Sequence, residues 1–461
     1  VTGVQTCALP IWQIMKAKKL LAIVAASAMM LTAFTACNNG GSGDSGDSGD
    51  GKEVVELTLT YNAERATNTD LMVEEFYKAV DAFNENSSES GVKVNMEVYP
   101  SDQYETKINA FASANDMPDL VYQAPGKKLW EYAEAGKYVD LKPYLEADQE
   151  WYDSFVDGAF VNTEYKDGIY AMPLNLAFAC VFYNTEIFEE AGVNADDINT
   201  WDDLVAACEK IKAVGKIPLA VSAKDAWCVA MIASYLAQRI GGMEPIEQIR
   251  DREEGYTFDQ DCFVQAATLT KELFDKEYVQ SSAVGDANDM ATAYVTSGQA
   301  AMLVQGSWCI GNFHKEGSEA VADKMGVFSF PTVEGGKGEQ NRWMAKTDNI
   351  AMGVDGEHYD ECIVFLKHMS GDDLQKATAE IAGKVPITNV EYDKSVAPVE
   401  MQYVTDLMNE DGALTMMFFD EAFGNAFGTE WNNAINAVVT GTKTPEQAMA
   451  DLQEYCVNAQ E

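Results

Sequence analysis

The sequence predicts an α/β protein built as two lobes, and three observations predict it. Strand and helix periodicities alternate from about residue 54 to residue 122, the alternation restarts near residue 169, and the 461-residue chain is 47% apolar, enough for more than one core. Val55, Leu57, Leu59 and Tyr61 alternate with polar neighbours, as a half-buried strand does. Val73, Phe76, Tyr77, Val80 and Phe83 then recur at three- and four-residue steps, the spacing of one helix face, with Thr69 or Asp70 placed to cap it. Val92, Val94, Met96 and Val98 alternate again, Tyr104 to Ala114 reads as a second helix, and Asp119 to Tyr122 as a short buried strand. This order gives parallel strands with covering helices, because parallel neighbours need a crossover of about a dozen residues. The second lobe repeats the theme. Ile169 to Met172 and Ala179 to Tyr183 are strand-like, Trp201 to Val214 is an amphipathic helix, Pro218 to Val221 a strand and Ala230 to Ile240 a helix.

Ahead of this body, Met15 to Cys37 reads as a bacterial lipoprotein signal. Lys16, Lys18 and Lys19 form a positive start, Leu20 to Leu31 an apolar core, and Phe34-Thr35-Ala36-Cys37 a small-residue cleavage site that ends on cysteine. Cys37 is the expected lipidation site, which would place the protein on the extracellular face of the bacterial cytoplasmic membrane. The apolar run is short and Ala-rich for a membrane span, and no stop-transfer pattern follows it. Residues 1–14 precede a natural start at Met15 and resemble a translated sequencing adapter, so they are expected to be non-native. Residues 15–36 form the signal peptide and residues 37–52 a Gly/Ser/Asp linker with a reach of roughly 20 Å.

The net charge of −42 excludes whole classes of partner. Without residues 1–36 the chain keeps 29 basic against 74 acidic residues, a balance of −45. Such a surface repels phosphate backbones and anionic lipid heads, so neither nucleic acid nor a peripheral membrane contact is expected, and the membrane is met through the lipid anchor only. Cys180, Cys208, Cys228, Cys262, Cys309, Cys362 and Cys456 are odd in number and widely spaced, and they read as buried free thiols rather than a zinc site or a disulfide framework. His314, His358 and His368 form no His-x-x-x-His pair, and there is neither a Gly-x-Gly-x-x-Gly after a strand nor a Gly-Lys-Ser/Thr phosphate loop. Asp286-Ala287-Asn288-Asp289 lacks the further oxygen ligand and the glycine of a calcium loop. No metal and no cofactor are expected.

Several segments occur in the order found in one family. They are Met117-Pro118-Asp119-Leu120-Val121, Gly168-Ile169-Tyr170-Ala171-Met172-Pro173 followed by Phe182-Tyr183-Asn184, Thr200-Trp201-Asp202-Asp203-Leu204, Gly298-Gln299-Ala300-Ala301-Met302 with Gly306-Ser307-Trp308, and Gly441-Thr442-Lys443-Thr444-Pro445-Glu446-Gln447-Ala448. In this the chain resembles the family 1 extracellular solute-binding proteins of carbohydrate ABC transporters, which include maltose-binding protein. The resemblance implies a type II periplasmic-binding-protein-like fold, with lobe one at 53–173 and 345–402, lobe two at 175–343 and 404–461, and a hinge of several segments beside the ligand cleft. Pro173-Leu174-Asn175 would be the first crossing. It also implies a monomer that hands a sugar to a membrane permease and catalyses nothing.

Sugar binding needs flat aromatic faces for the C–H side of a pyranose and directional polar groups for its hydroxyls. Tyr61 ends the first strand and Asn62, Glu64 and Arg65 follow it, while Tyr122 and Gln123 end the third, so these are candidates for one wall. Asn175 is the candidate at the hinge. On the opposite wall Trp308 matches the family's stacking tryptophan, with Trp227, Trp343, Asp348, Phe419 and Asp420 as further candidates. Two other classes stay open. A secreted glycoside hydrolase needs only a pair of carboxylates across a cleft, although eight regular βα units are missing, and a surface adhesin would need no hinge.

Overall fold

The computed structural model describes residues 54–459, apart from 67, 69, 157, 316, 319, 320, 322, 411 and 412 and the side chains of Ser101, Asp102 and Glu410. The signal segment, Cys37, the linker and Thr69 lie outside the described residues. Chain contacts separate Val1–Gly51 from Lys52–Glu461, and the architecture below is that of the second unit.

The strands are β1 (Val55–Tyr61), β2 (Val92–Val98), β3 (Leu120–Gln123), β4 (Glu164–Tyr165), β5 (Gly168–Ile169), β6 (Met172–Asn184), β7 (Ile217–Ala220), β8 (Ala300–Gly306), β9 (Met325–Phe328), β10 (Arg342–Met352), β11 (Val385–Pro386) and β12 (Leu414–Met416). One ten-stranded sheet runs β2-β1-β3-β10-β6-β8-β7, with β9 and β11 also on β6 and β12 on β10. β1 is parallel to β2 and to β3, and β7 is parallel to β8, as the helix-covered rhythm predicts. Helix Leu71–Glu85 connects β1 to β2. Asp70 caps it, its Oδ1 accepting from the Met72 amide at 2.9 Å, and Phe76, Val80 and Phe83 are buried. Helix Trp201–Ala213 opens on a reciprocal capping box between Thr200 and Asp203.

The two expected strands Ile169–Met172 and Ala179–Tyr183 are arranged differently. Gly168–Ile169 closes a small antiparallel hairpin with Glu164–Tyr165, and Met172 begins a single 13-residue strand that runs to Asn184. That strand is buried along nearly its whole length, on both faces, so it lacks the alternation by which a strand is recognised.

β6 and β10 run antiparallel through the middle of the molecule and belong to both halves of the sheet. The end of β10 at Leu120-facing Met352 pairs with β3, and its start at Arg342 pairs with β12; β6 pairs with β10 and β11 early and with β8 and β9 late. On one side Leu57, Leu59, Phe76, Phe83, Met352 and Phe365 form a core. On the other, Tyr235, Leu236, Phe258, Phe263, Phe419 and Trp431 form a second, in which Trp431 is enclosed by four phenylalanine rings at 5.4–6.3 Å. The seven cysteines from Cys180 to Cys456 are all buried and free.

Candidate ligand-binding site

Between the two halves lies a cleft of about 480 Å³, and its walls come from the ends of strands and the starts of helices on both sides. On the β1–β3 side stand Tyr61 and Tyr122. Tyr61 stacks on Phe76 with centroids 4.4 Å apart and meets Tyr122 edge-on at 5.0 Å, so both rings are held rigidly by packing. On the β7–β8 side stand Trp308, in the 3₁₀ turn that follows β8, and Trp227, at the start of helix Ala226–Gly241. The two indoles meet edge-on at 6.0 Å, and Phe418 lies 5.8 Å from Trp308. Gly306 is what lets Trp308 fold back over its own strand end, because a Cβ there would sit 2.2 Å from the indole.

The floor is polar and lies where β6, β10 and β11 cross between the halves. Asn175 pairs with Asp348 and Pro173 with Asn349, so Leu174 is the extra residue of a bulge. Proline fits such a bulge because no ladder donor is needed there. Asp348 is turned toward the cleft, where its carboxylate accepts from the Tyr122 hydroxyl at 2.7 Å and the Asn175 amide at 3.1 Å. Lys346 and Lys384 each approach it at 3.3 Å, and Lys384 also reaches Asp70 at 2.8 Å. Burial alone would raise the Asp348 pKa, but the two ammonium groups and the two hydrogen bonds outweigh it and hold the carboxyl well below the usual range. Burial opposes the charge on Lys384 as well, and Asp70 and Asp348 restore it, raising that pKa.

At the mouth, Asp420 and Lys128 face each other at 3.8 Å, and Lys346 lies 5.3 Å from the Trp308 ring centre. Asn288 is fixed by its neighbours, its backbone N–H donating to Asp225 at 2.6 Å and its side-chain Oδ1 accepting from Gln305 at 2.7 Å.

Of the candidates read from the sequence, the structure brings Tyr61, Asn62, Tyr122, Trp227, Trp308, Asp348, Phe419 and Asp420 to this cleft. The others lie elsewhere. Glu64 is exposed beside the cleft-forming loop, and Arg65 is drawn away by Glu74 and Asp81, which it meets at 2.8 and 2.7 Å. Gln123 is buried, its Oε1 accepting from Tyr138 at 2.6 Å. Asn175 is fully buried behind Asp348 and orients that carboxylate. Trp343 is a core residue, packed with Phe178 and Phe182, because strand alternation turns it to the face opposite Met344. Sequence reasoning passed over Lys128, Lys384, Glu105 and Glu421, which also line the cleft. Lys346 carried a signal, as a charge inside an apolar strand, and so did Lys384, directly before Val385-Pro386. Glu105 and Glu421 carried none among 74 acids.

Among the described residues no group of three or more His, Cys, Asp or Glu could hold a metal ion, and no helix is long and apolar enough to cross a membrane.

Two lobes joined by shared strands around a cleft with aromatic walls define the class of a solute receptor, and the comparisons name it. Residues 69–376 match the bacterial extracellular solute-binding proteins, and the chain belongs to that family. An arabinooligosaccharide-binding protein of Halalkalibacterium halodurans is 24% identical over 408 residues, 83% of this chain and 86% of the relative. An uncharacterized ABC transporter extracellular-binding protein of Pyrococcus horikoshii is 22% identical over 353 residues, 75% of this chain and 71% of the relative. The fold is shared with a chitin oligosaccharide binding protein, at a TM-score of 0.79 and 21% identity over 88% of this chain and 99% of that one. It is also shared with a Bacillus licheniformis sugar transporter in complex with stachyose, at 0.70 and 20% over 87% and 98%.

Proposed function

We propose that this protein is the sugar-capturing receptor of an ABC importer, taking a sugar or oligosaccharide outside the cell and delivering it to a membrane permease. The observation that carries the reading is the cleft, where the tyrosines of one wall face the tryptophans of the other above a floor of carboxylate and ammonium groups. Aromatic faces cover apolar sugar C–H surface, and Asp348, Asn288 and the lysines are already oriented by their own hydrogen bonds and ion pairs, so little side-chain entropy remains to be lost on binding. Relatives whose names specify arabinooligosaccharides support the same ligand class.

In this reading residues 53–173 with 345–402 and residues 175–343 with 404–461 move as two bodies, and β6, β10 and β11 flex between them. Ligand shifts the balance toward the closed form by binding it better than the open one. The receptor is a monomer, Cys37 carries its lipid anchor, the linker spaces it from the membrane, and the sugar leaves chemically intact.

The test is a thermal-shift screen of residues 53–461 against mono- and oligosaccharides, with chromatography of every hit. At a hundred times its dissociation constant a ligand stabilises by about 2.7 kcal/mol. A raised melting temperature with the sugar recovered whole is the expected result. Cleavage of the sugar would move the protein to the glycosidases, and no shift with any sugar would remove the saccharide reading.

A further inference from the structure

The lysines of the cleft are already engaged. Lys384 sits between Asp70 and Asp348, Lys346 on Asp348, and Lys128 opposite Asp420, while Glu105, Asp289 and Glu421 add three more carboxyl groups to the lining. Among the described residues the lining includes no arginine, the side chain best shaped to grip a carboxylate or phosphate in two-pronged fashion. An anionic sugar would enter a space with six carboxyl groups and three paired cations, where each new negative charge is repelled and no cation is in reserve.

Glu421 stands out among the carboxyls. It is 5% exposed and lines the cleft, yet its Oε2 has no hydrogen-bond partner. A buried polar atom left unmatched at the wall of a cleft is a group waiting for a ligand atom. Lys346 and Asp348 face it from β10, Lys128 from helix Lys127–Glu134, and Asp420 from the preceding position in its own turn, which also acts on Glu105 of helix Ser101–Ala114. Burial outweighs the two lysines and pushes the Glu421 carboxyl up to about 8. At neutral pH it is therefore mostly protonated and offers both a donor and an acceptor.

We infer that this cleft selects an electrically neutral saccharide, and that Glu421 is a specificity-determining residue that hydrogen-bonds one of its hydroxyls. The inference rests on the saccharide reading above. The loss of its proton would remove the donor and add a charge, so affinity should fall as the pH rises through about 8.

The experiment is titration calorimetry at pH 6 to 9 with a neutral oligosaccharide from the screen and the same oligosaccharide with the terminal primary alcohol of one unit, C6 of a hexose or C5 of a pentofuranose, oxidised to the carboxylate of a uronate. The wild-type protein should bind the uronate about 100-fold more weakly. Glu421→Gln, which keeps an uncharged donor and acceptor, should bind the neutral sugar within about threefold of wild type and lose the decline toward pH 9. Glu421→Ala should bind about tenfold more weakly. Equal binding of the uronate, or a pH profile unchanged in Glu421→Gln, would overturn the inference while leaving a sugar receptor in place. Absence of binding by any saccharide would overturn both, and the Gln variant keeps the test usable if the Ala variant fails to fold.

Discussion

Trp308 is placed by a glycine as much as by its own turn. Truncating it to alanine should weaken sugar binding by about 1–3 kcal/mol, the scale of aromatic stacking losses on planar ligands, as read by calorimetry. Gly306→Ala probes the same ring from below. Its backbone is extended and tolerates alanine, so the added Cβ acts only by displacing the indole 2.2 Å away, and affinity should drop with little loss of stability. Asp348 serves a different purpose, since it is the counter-charge of Lys346 and shares with Asp70 the buried ammonium group of Lys384. Asp348→Asn should cost about 3–5 kcal/mol of unfolding free energy in a urea melt, the usual result of removing one partner from a buried pair. Trp308 was legible in the sequence because it follows a strand that ends on glycine, and Asp348 because it is a charge in a polar stretch, Lys346 to Asn349, set within an otherwise apolar strand. Trp343 was misplaced because a tryptophan two steps along a strand presents the same local pattern whichever face is buried, and Arg65 because nothing in its neighbours reveals that Glu74 and Asp81 lie on the adjacent helix face.

The regular elements follow the sequence closely where alternation or a helical stripe is present. β1, β2 and the helices Leu71–Glu85 and Trp201–Ala213 fall where their apolar residues recur, and Asp70 takes the capping position its side chain suits. β6 is the exception, since a strand covered on both faces shows one unbroken apolar run, and its junction with the 168–169 hairpin has no periodic signal. The crossing of β6 with β10 and β11 is a long-range property that local pattern does not encode. The turn ahead of β10 illustrates another such constraint. Gly338 lies against the end of helix Ala226–Gly241, where a Cβ would come within 1.9 Å of the Gln238 carbonyl, and Arg239 ties the same turn down by donating to the Glu339 and Arg342 carbonyls. Gly338→Ala should therefore lower stability by about 1–3 kcal/mol, the cost of overpacking, measured by urea denaturation.

For the whole molecule, two carboxyls give opposite dependences on pH. Asp348 has a folded-state pKa below its unfolded one, so its stabilisation is present above about pH 4 and is lost as the pH falls further. Glu421 is raised from 4.5 to about 8, so the folded state holds a proton the unfolded chain releases, and stability declines as the pH climbs between those values. Glu421→Gln should flatten that decline in melting temperature between pH 5 and pH 8. Two cores linked by shared strands also predict that ligand reduces the radius of gyration in small-angle scattering, since the closure proposed above would act at the β6, β10 and β11 crossing. Sugar binding in this cleft is tested most simply by a calorimetric titration of wild type and Trp308→Ala with the same neutral oligosaccharide. Binding by the wild type with a dissociation constant at least fivefold lower than that of a folded Trp308→Ala variant is the predicted result; equal affinity in the two would place the sugar outside this cleft.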